Sequence, residues 1–141
     1  MTKIPAELHE HINDALFPET PMIGTVDPDG YPRVSIRGSV CVFDDETIAI
    51  WERGLGGVAK NIRDGAKVNV FFQKYALTES LLPMAGVARF FGTATVHKDG
   101  PIREQVWDMI LAEERERDPE QKGYAILVNV ERAEDMGCNP L

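Results

Sequence analysis

The chain has few cysteines and histidines and lacks the motifs of common hydrolases. Its 141 residues include two cysteines and three histidines. Cys41 and Cys138 are too far apart for a disulfide framework or a zinc site, which needs closely spaced pairs of ligands. His9 and His11 are two apart on a predicted helix and point in different directions, so we expect no metal site. A Gly-x-Ser-x-Gly elbow is absent and no Ser-His-Asp or Cys-His set can be assembled, which disfavours an unaided hydrolase.

Positive charge is also scarce. Fifteen Lys and Arg residues stand against 23 Asp and Glu residues, which gives a net charge of −8. A general binder of nucleic acid or of anionic membranes would need the opposite balance. The longest apolar runs are only a few residues, and the N-terminus lacks the hydrophobic core of a signal peptide. We therefore expect a cytoplasmic protein that binds a small molecule, with neither nucleic acid nor membrane as a partner.

The order of predicted elements indicates the fold class. The length suits one domain over residues 1–141. Apolar spacing predicts an N-terminal helix around Leu8, a short helix over 58–64 and a long helix from Pro101 to just before Pro119. Alternation and turn chemistry predict strands over 22–26, 31–37, 39–43, 47–51, 67–73, 85–97 and 123–130. Since strands and helices do not alternate regularly, this order predicts a mainly β (α+β) antiparallel barrel with two or three flanking helices.

Some segments carry expectations of their own. Residues 74–83 and the tail after Arg132 have irregular patterns and are predicted to be loops. The charged end of the long helix, residues 113–117, has the composition of a solvated face. Gly86 and Gly92 are expected bend points of the longest strand. The strand over 123–130 is apolar on both alternating faces, so it should be a central strand or one covered by a helix or a partner subunit.

The most informative local feature is the strand around residues 32–39. Alternation along a strand places Arg33, Ser35 and Arg37 on one face and Val34 and Ile36 on the other. Guanidinium groups bind phosphate oxygens through paired, charge-assisted hydrogen bonds, so this row suits a phosphate or an extended polar ligand. An ordinary solvated strand face with cross-strand ion pairs has the same pattern, and the strand alone favours neither interpretation.

Two further features are weaker. The loop Gly54-Leu55-Gly56-Gly57 precedes the short helix and could hold an anion on backbone N–H groups, but it matches neither the P-loop nor the dinucleotide fingerprint. Trp51 and Trp107 could each stack on a flat ring. For Trp107, on the flank of the long helix, packing against the core or a subunit is the favoured alternative.

Several of these segments together resemble the pyridoxamine 5'-phosphate oxidase-like family. They are the segment from Met22 to Ser35, the strand end Trp51-Glu52-Arg53-Gly54, the segment Lys60-Asn61-Ile62-Arg63 and the strand portion from Arg89 to Ala94. The resemblance spans about residues 20–131. It implies a six-stranded antiparallel split barrel that forms a homodimer, with two FMN sites at the subunit interface.

The resemblance also implies which residues surround the cofactor. The strand that begins at Arg33 would lie along the flavin, Gln73 would reach the flavin edge, and the remaining residues would surround the ribityl phosphate. Gly56-Gly57-Val58 stands where the family's oxidases carry a Ser-Arg-Lys-type phosphate grip, so backbone N–H groups, Arg33, Arg37, Arg53 or Lys60 would hold the phosphate. The full set is Arg33, Val34, Ser35, Arg37, Gly38, Ser39, Trp51, Glu52, Arg53, Gly56, Gly57, Lys60, Asn61 and Gln73.

The implied activity is that of an FMN-dependent oxidoreductase in which the flavin carries the redox chemistry, so no catalytic side chain is nominated. The chain ends at Asn139-Pro140-Leu141 without the Trp- and Arg-containing motif that holds pyridoxal phosphate in true oxidases, so oxidation of pyridoxamine phosphate is not expected. Two alternatives use the same barrel: a non-enzymatic flavin or haem carrier, store or sensor, and a reductase that uses a deazaflavin such as F420.

Overall fold

Seven segments of alternating side chains pair into one antiparallel sheet. In this computed structural model, which describes residues 3–141, the strands are β1 (Met22–Val26), β2 (Pro32–Ile36), β3 (Val40–Asp44), β4 (Thr47–Glu52), β5 (Lys67–Gln73), β6 (Val87–His97) and β7 (Tyr124–Asp135). Their order in the sheet is β2-β1-β5-β6-β7-β4-β3. The mainly β prediction is confirmed. The count of six is wrong, because the chain leaves one sheet edge at β2 and begins β3 at the other, which makes two separate strands.

Four α-helices flank the sheet, rather than the two or three predicted. They are α1 (Ala6–Asn13), α2 (Gly57–Asn61), α3 (Pro101–Met109) and α4 (Ala112–Arg115), and a 3₁₀ helix spans Tyr75–Glu79 within the predicted loop. The long helix is broken because Ile110 and Leu111 adopt extended backbone conformations. The side chain of Ile110 is buried in the core. Arg115 Nη1 donates to the Ile110 carbonyl oxygen at 2.6 Å, which satisfies a helix-end acceptor.

The core lies on both faces of β4 and β7. Ile48 and Ile50 of β4 face the main core, which the buried side of α1 closes at one end. Ala49 and Trp51, on the opposite face of the same strand, pack with Val106 of α3. This second cluster confirms that a helix covers the doubly apolar strand β7. All six residues of β4 are buried, as expected of a strand covered on both faces.

The last strand is longer than predicted, and the tail after Arg132 is not simply irregular. Ala133 and Asp135 still pair with β6, and the pairing register shifts between Phe91 and Gly92. A Cβ at Gly92 would overlap the Asn129 carbonyl oxygen, so the bend expected there needs glycine. The extra pairing follows from this bulge, which lets the long strands curve together past residue 130.

Candidate ligand-binding site

Strand β2 presents its polar residues to the inner side of the sheet and its apolar residues to the outside. Arg33 pairs with Thr25 and Ser35 pairs with Ile23 across the β1–β2 hairpin. Directly paired residues share a face, and Ile23 and Thr25 are both buried. Val34 consequently faces outward and is 68% exposed. The strand therefore has the opposite polarity to an ordinary sheet edge, and its outward apolar side chain Val34 is left uncovered.

Around Arg33, five residues form what we call the Arg33 cluster: Thr25, Asp27, Arg33, Gly57 and Asn61. Arg33 Nε and Nη2 donate to the two carboxylate oxygens of Asp27 at 2.7 and 2.9 Å. Asn61 Nδ2 donates to Asp27 Oδ1 at 2.6 Å and to Thr25 Oγ1 at 3.0 Å. The hydrogen bonds from Arg33 and Asn61 hold the pKa of the Asp27 carboxyl below its usual value. The cluster joins the β1–β2 hairpin to α2.

A cavity of about 390 Å³ lies at the end of β2, and we call it the Arg37 cavity. It is lined by Phe17, Thr20, residues 36–39, 51–53, Leu55, Glu114 and Arg117. Arg37 Nε donates to Glu52 Oε2 at 3.2 Å, and the Gly54 N–H donates to Glu52 Oε1 at 3.0 Å. The Glu52 side chain is only 2% exposed, so Arg37 neutralises a buried carboxylate of the protein itself.

Glu114 and Arg117 of the cavity both lie in the segment predicted to be a solvated face, and that prediction is wrong for Glu114, whose side chain is only 11% exposed. Ser39 Oγ donates to Glu114 Oε2 at 2.9 Å. The carboxylate also lies so close to Gly38 that a Cβ there would overlap it. The break after α3 turns α4 back over the start of β3, and this brings Glu114 to the cavity wall. The glycine at position 38 was the one sequence signal of such a close approach.

Trp51 belongs to the second core cluster and only borders the cavity. Its Nε1 donates to Asp118 Oδ2 at 2.9 Å, and its ring centroid lies 4.9 Å from that of Trp107. The guanidinium of Arg103 lies 5.2 Å from the Trp51 ring centroid. Trp107 thus packs against the core, as its position on the flank of the long helix predicted. The residue that anchors Trp51, Asp118, was missed because Asp118-Pro119 has the pattern of a simple helix stop.

Asp118 also closes the loop before β7. It accepts hydrogen bonds from the Lys122 and Gly123 N–H groups at 3.0 and 2.8 Å. Burial raises the pKa of Asp118, but the hydrogen bonds from Trp51 and these two N–H groups together outweigh burial and lower it. A charged carboxylate with three hydrogen-bond donors therefore anchors Trp51, which borders the cavity.

The other residues implied by the resemblance lie at different distances from the cavity. Arg53 lines it, and within the part of the chain that the structure describes neither Arg53 nor Lys60 forms an ion pair. Gly56 has a φ of 83°, which suits the turn into α2. Gln73 lies apart, in a separate depression of about 260 Å³, and its Nε2 donates to the Ala85 carbonyl oxygen at 3.0 Å.

The outer face of the sheet carries an open groove of about 690 Å³, which we call the outer groove. Met22, Val34, Phe71 and Phe91 supply most of its large apolar side chains. The guanidinium carbon of Arg132 lies 3.8 Å from the centroid of the Phe91 ring, at one wall. An exposed apolar surface of this extent, bordered by charged residues, is typical of an interaction site.

Two other kinds of site have no counterpart over residues 3–141. No helix there is both long and apolar enough to cross a membrane. No group of three or more His, Cys, Asp or Glu side chains in this range is arranged to hold a metal ion.

Comparison with known proteins agrees with the split-barrel fold. The structure of HupZ from Group A Streptococcus shares 27% sequence identity, covers 97% of each chain and gives a TM-score of 0.72. An FMN-binding protein from Syntrophomonas wolfei has 11% identity, 90% and 84% coverage of this chain and its own, and a TM-score of 0.60. HutZ, the haem storage protein from Vibrio cholerae, has 18% identity, 92% coverage of each chain and a TM-score of 0.60. Comparison with curated protein sequences gives no significant match.

The open antiparallel sheet with its flanking helices is thus a split barrel, the fold that these structures share. The sequence profile of the pyridoxamine 5'-phosphate oxidase family matches residues 8–136, so the chain belongs to this family.

Proposed function

We propose that the chain is an FMN-binding flavoprotein that acts as an oxidoreductase, with the flavin bound at the interface of a homodimer. The observation that carries this proposal is the reversed polarity of β2. Its outward residue Val34 is 68% exposed and lines the outer groove, while Arg33 pairs across the hairpin with Thr25 on the opposite face. A second copy on the outer groove would cover Val34, and an anionic ligand would meet the Nη1 end of Arg33 that Asp27 leaves free.

The residues of this chain fit FMN. In the Arg33 cluster, Nε and Nη2 of Arg33 are held by Asp27, and among residues 3–141 no hydrogen-bond partner occupies Nη1. Arg33 and the exposed Lys60 would hold the phosphate, and Val34, Ser35 and Arg37 would contact the rest of the flavin. When bound, the flavin supplies hydride or electron transfer. The side chains of this chain bind and orient it.

The Arg37 cavity would receive the second substrate. Arg37 is paired with Glu52 and the exposed Arg117 with Glu114 at 3.7 Å, whereas Arg53, which also lines the cavity, forms no ion pair within residues 3–141. A small molecule with an anionic group would pair with the guanidinium of Arg53. The apolar wall from Leu55 and Phe17 would cover the body of that molecule.

A haem carrier or store is the second candidate. The outer groove is large and mostly apolar, and the neighbour HutZ is named a haem storage protein. The residues that line the outer groove include no histidine, so an axial ligand of the commonest type is missing there. This difference favours flavin over haem. A deazaflavin would use the same phosphate contacts, and the identity of the bound chromophore separates it from FMN.

The proposal includes a cytoplasmic location. Both cysteines are free thiols, and Cys138 is exposed. Free, exposed thiols persist in a reducing compartment.

The absorption spectrum of the purified protein tests the cofactor. We expect flavin bands, release of FMN on heating as identified by mass, and a rise in melting temperature when FMN is added to flavin-free protein. Reduction of the bound flavin by NADH or NADPH would support the oxidoreductase role. A Soret band, a released deazaflavin, or colourless protein that does not respond to FMN would refute the proposal.

Sedimentation at micromolar concentration tests the dimer. We expect the wild-type protein at dimer mass and Val34→Asp at monomer mass, because the substitution places a charge at the centre of the apolar outer face. Gln105→Asp adds the same charge on the exposed side of α3 and should leave the dimer intact. Monomeric wild-type protein would contradict the proposed interface.

A further inference from the structure

Glu114 places a carboxylate with spare acceptor capacity on the wall of the Arg37 cavity. Its side chain is 11% exposed and lines the cavity. Oε2 accepts from Ser39 Oγ at 2.9 Å, whereas Oε1 accepts no hydrogen bond within residues 3–141. Arg117 Nε lies 3.7 Å from Oε1, but the Arg117 side chain is 60% exposed, so water weakens this ion pair. A carboxylate has about four acceptor positions, so Oε1 can accept from a ligand.

Glu52, the second carboxylate that lines the cavity, has no such capacity to spare. It is 2% exposed, and each of its oxygens has a donor, Arg37 Nε at 3.2 Å and the Gly54 N–H at 3.0 Å. Arg53 also lines the cavity and forms no ion pair over the described range, residues 3–141. The charges left to meet a ligand are therefore the negative one of Glu114 and the positive one of Arg53.

The chain fixes Glu114 in this position from two sides. A Cβ at Gly38 would overlap the Glu114 carboxylate, and Gly38 does not have a positive φ, so close approach explains this glycine. Ser39, the residue that donates to Glu114, is 6% exposed. On the other side, Arg115 Nη1 donates to the Ile110 carbonyl oxygen at 2.6 Å, across the break that precedes α4. The negative charge is thus a built part of the cavity wall.

We propose that Glu114 determines the ligand class of the Arg37 cavity: a small zwitterion whose protonated amine meets Glu114 and whose carboxylate meets Arg53, with phosphate esters excluded. An ammonium group would form a charge-assisted hydrogen bond to Oε1. A phosphate ester carries about 1.5 to 2 negative charges, so Glu114 repels it more strongly than it repels a carboxylate. The proposal names the ligand class of the second-substrate site and so rests on the proposed function.

The volume of the cavity agrees with a small ligand. It is about 390 Å³, and sites for small molecules span about 300–1,000 Å³. Leu55 and Phe17 supply an apolar wall that suits a short hydrocarbon chain between the two charged groups.

Dissociation constants from isothermal titration calorimetry on the purified protein, with its chromophore identified, test the ligand class. The probes are γ-aminobutyrate and ε-aminocaproate, the amine-free counterparts butyrate and caproate, and butyl phosphate. At least one amino carboxylate should bind about tenfold more tightly than its counterpart, the worth of a hydrogen bond between charged groups. Butyl phosphate should bind more weakly than butyrate.

Glu114→Gln removes the charge but keeps the size of the side chain and an acceptor for Ser39. It should reduce the preference for the amine to less than about twofold and tighten the binding of butyl phosphate, two opposite changes that a misfolded variant would not show. Arg53→Gln should weaken both kinds of carboxylate alike. Glu113→Gln is the matched control, because it removes the same charge from an exposed position of α4 and should change neither preference.

If the wild-type protein binds none of these probes, or if Glu114→Gln keeps the wild-type preferences, the role of Glu114 is refuted, while a flavin spectrum leaves the flavoprotein proposal standing. If the purified protein neither contains nor takes up a flavin, the proposed function is refuted, and the titrations still show whether the cavity selects a zwitterion.

Discussion

Replacing Arg37 shows whether this residue serves a ligand or the protein's own core. The carboxylate of Glu52 is 2% exposed and has two donors, Arg37 Nε and the Gly54 N–H. Arg37→Met keeps an apolar stem but leaves the carboxylate one donor. Removing one partner of a buried ion pair costs about 3–5 kcal/mol. Because the Gly54 contact remains and the Arg37 side chain is 19% exposed, we expect about 3 kcal/mol, the lower end of that range.

Urea unfolding at pH 7 measures this loss, and Glu52→Gln provides the partner for a double-mutant cycle. The double variant should be more stable than Arg37→Met alone, since it removes the stranded negative charge. Lysine at position 37 should retain part of the stability, because it restores the charge without the guanidinium geometry. A loss below about 1 kcal/mol for Arg37→Met, or no recovery in the double variant, would refute the counter-ion role.

Two further predictions concern the second core cluster and the thiols. Trp51→Phe removes the hydrogen bond to Asp118 and should lower the free energy of unfolding by about 1.5–3 kcal/mol at pH 7. The pKa of Asp118 is lowered in the folded protein, so its ionised carboxylate stabilises the fold above pH 3.8, and this stabilisation is lost as pH falls through the folded pKa. Without the Trp51 hydrogen bond the pKa is lowered less, so the free energy of unfolding of Trp51→Phe should fall less than that of the wild type as the pH is lowered. Burial raises the pKa of Cys41 to about 12, so an alkylating reagent at pH 8 should label exposed Cys138 first and Cys41 only on unfolding. Peptide mass analysis would contradict this if native Cys41 reacted as fast as Cys138.

Local patterns were sufficient to predict most of the sheet. The strands β1 and β5 begin and end at the predicted residues, because each alternates between strong turn or loop signals. The two apolar faces of β7 predicted a central or covered strand, and in the structure the main core covers one face and α3 the other. The family resemblance predicted the split barrel but one strand too few, since it does not distinguish the separate edge strands β2 and β3.

The break between α3 and α4 could not be predicted from helical spacing. Ile102, Val106 and Ile110 keep the period of a helix, yet Ile110 leaves the helix to fill the second core cluster. The energy of that burial and the bond from Arg115 exceed the gain from one more helical turn. Tertiary packing decided this element, as it often does where helix propensity is only moderate.

What the sequence by itself determined is which side chains share a strand face, because side-chain direction along a strand is a local property with a period of two. It placed Arg33 and Arg37 in one row opposite Val34. Only the tertiary structure decided which partner each polar side chain binds. Arg37 donates to Glu52 fifteen residues away, Trp51 donates to Asp118 at a separation of 67 residues, and Ser39 donates to Glu114 at a separation of 75. Such pairs depend on chain crossings that bring distant segments together, and no local pattern of residues encodes them.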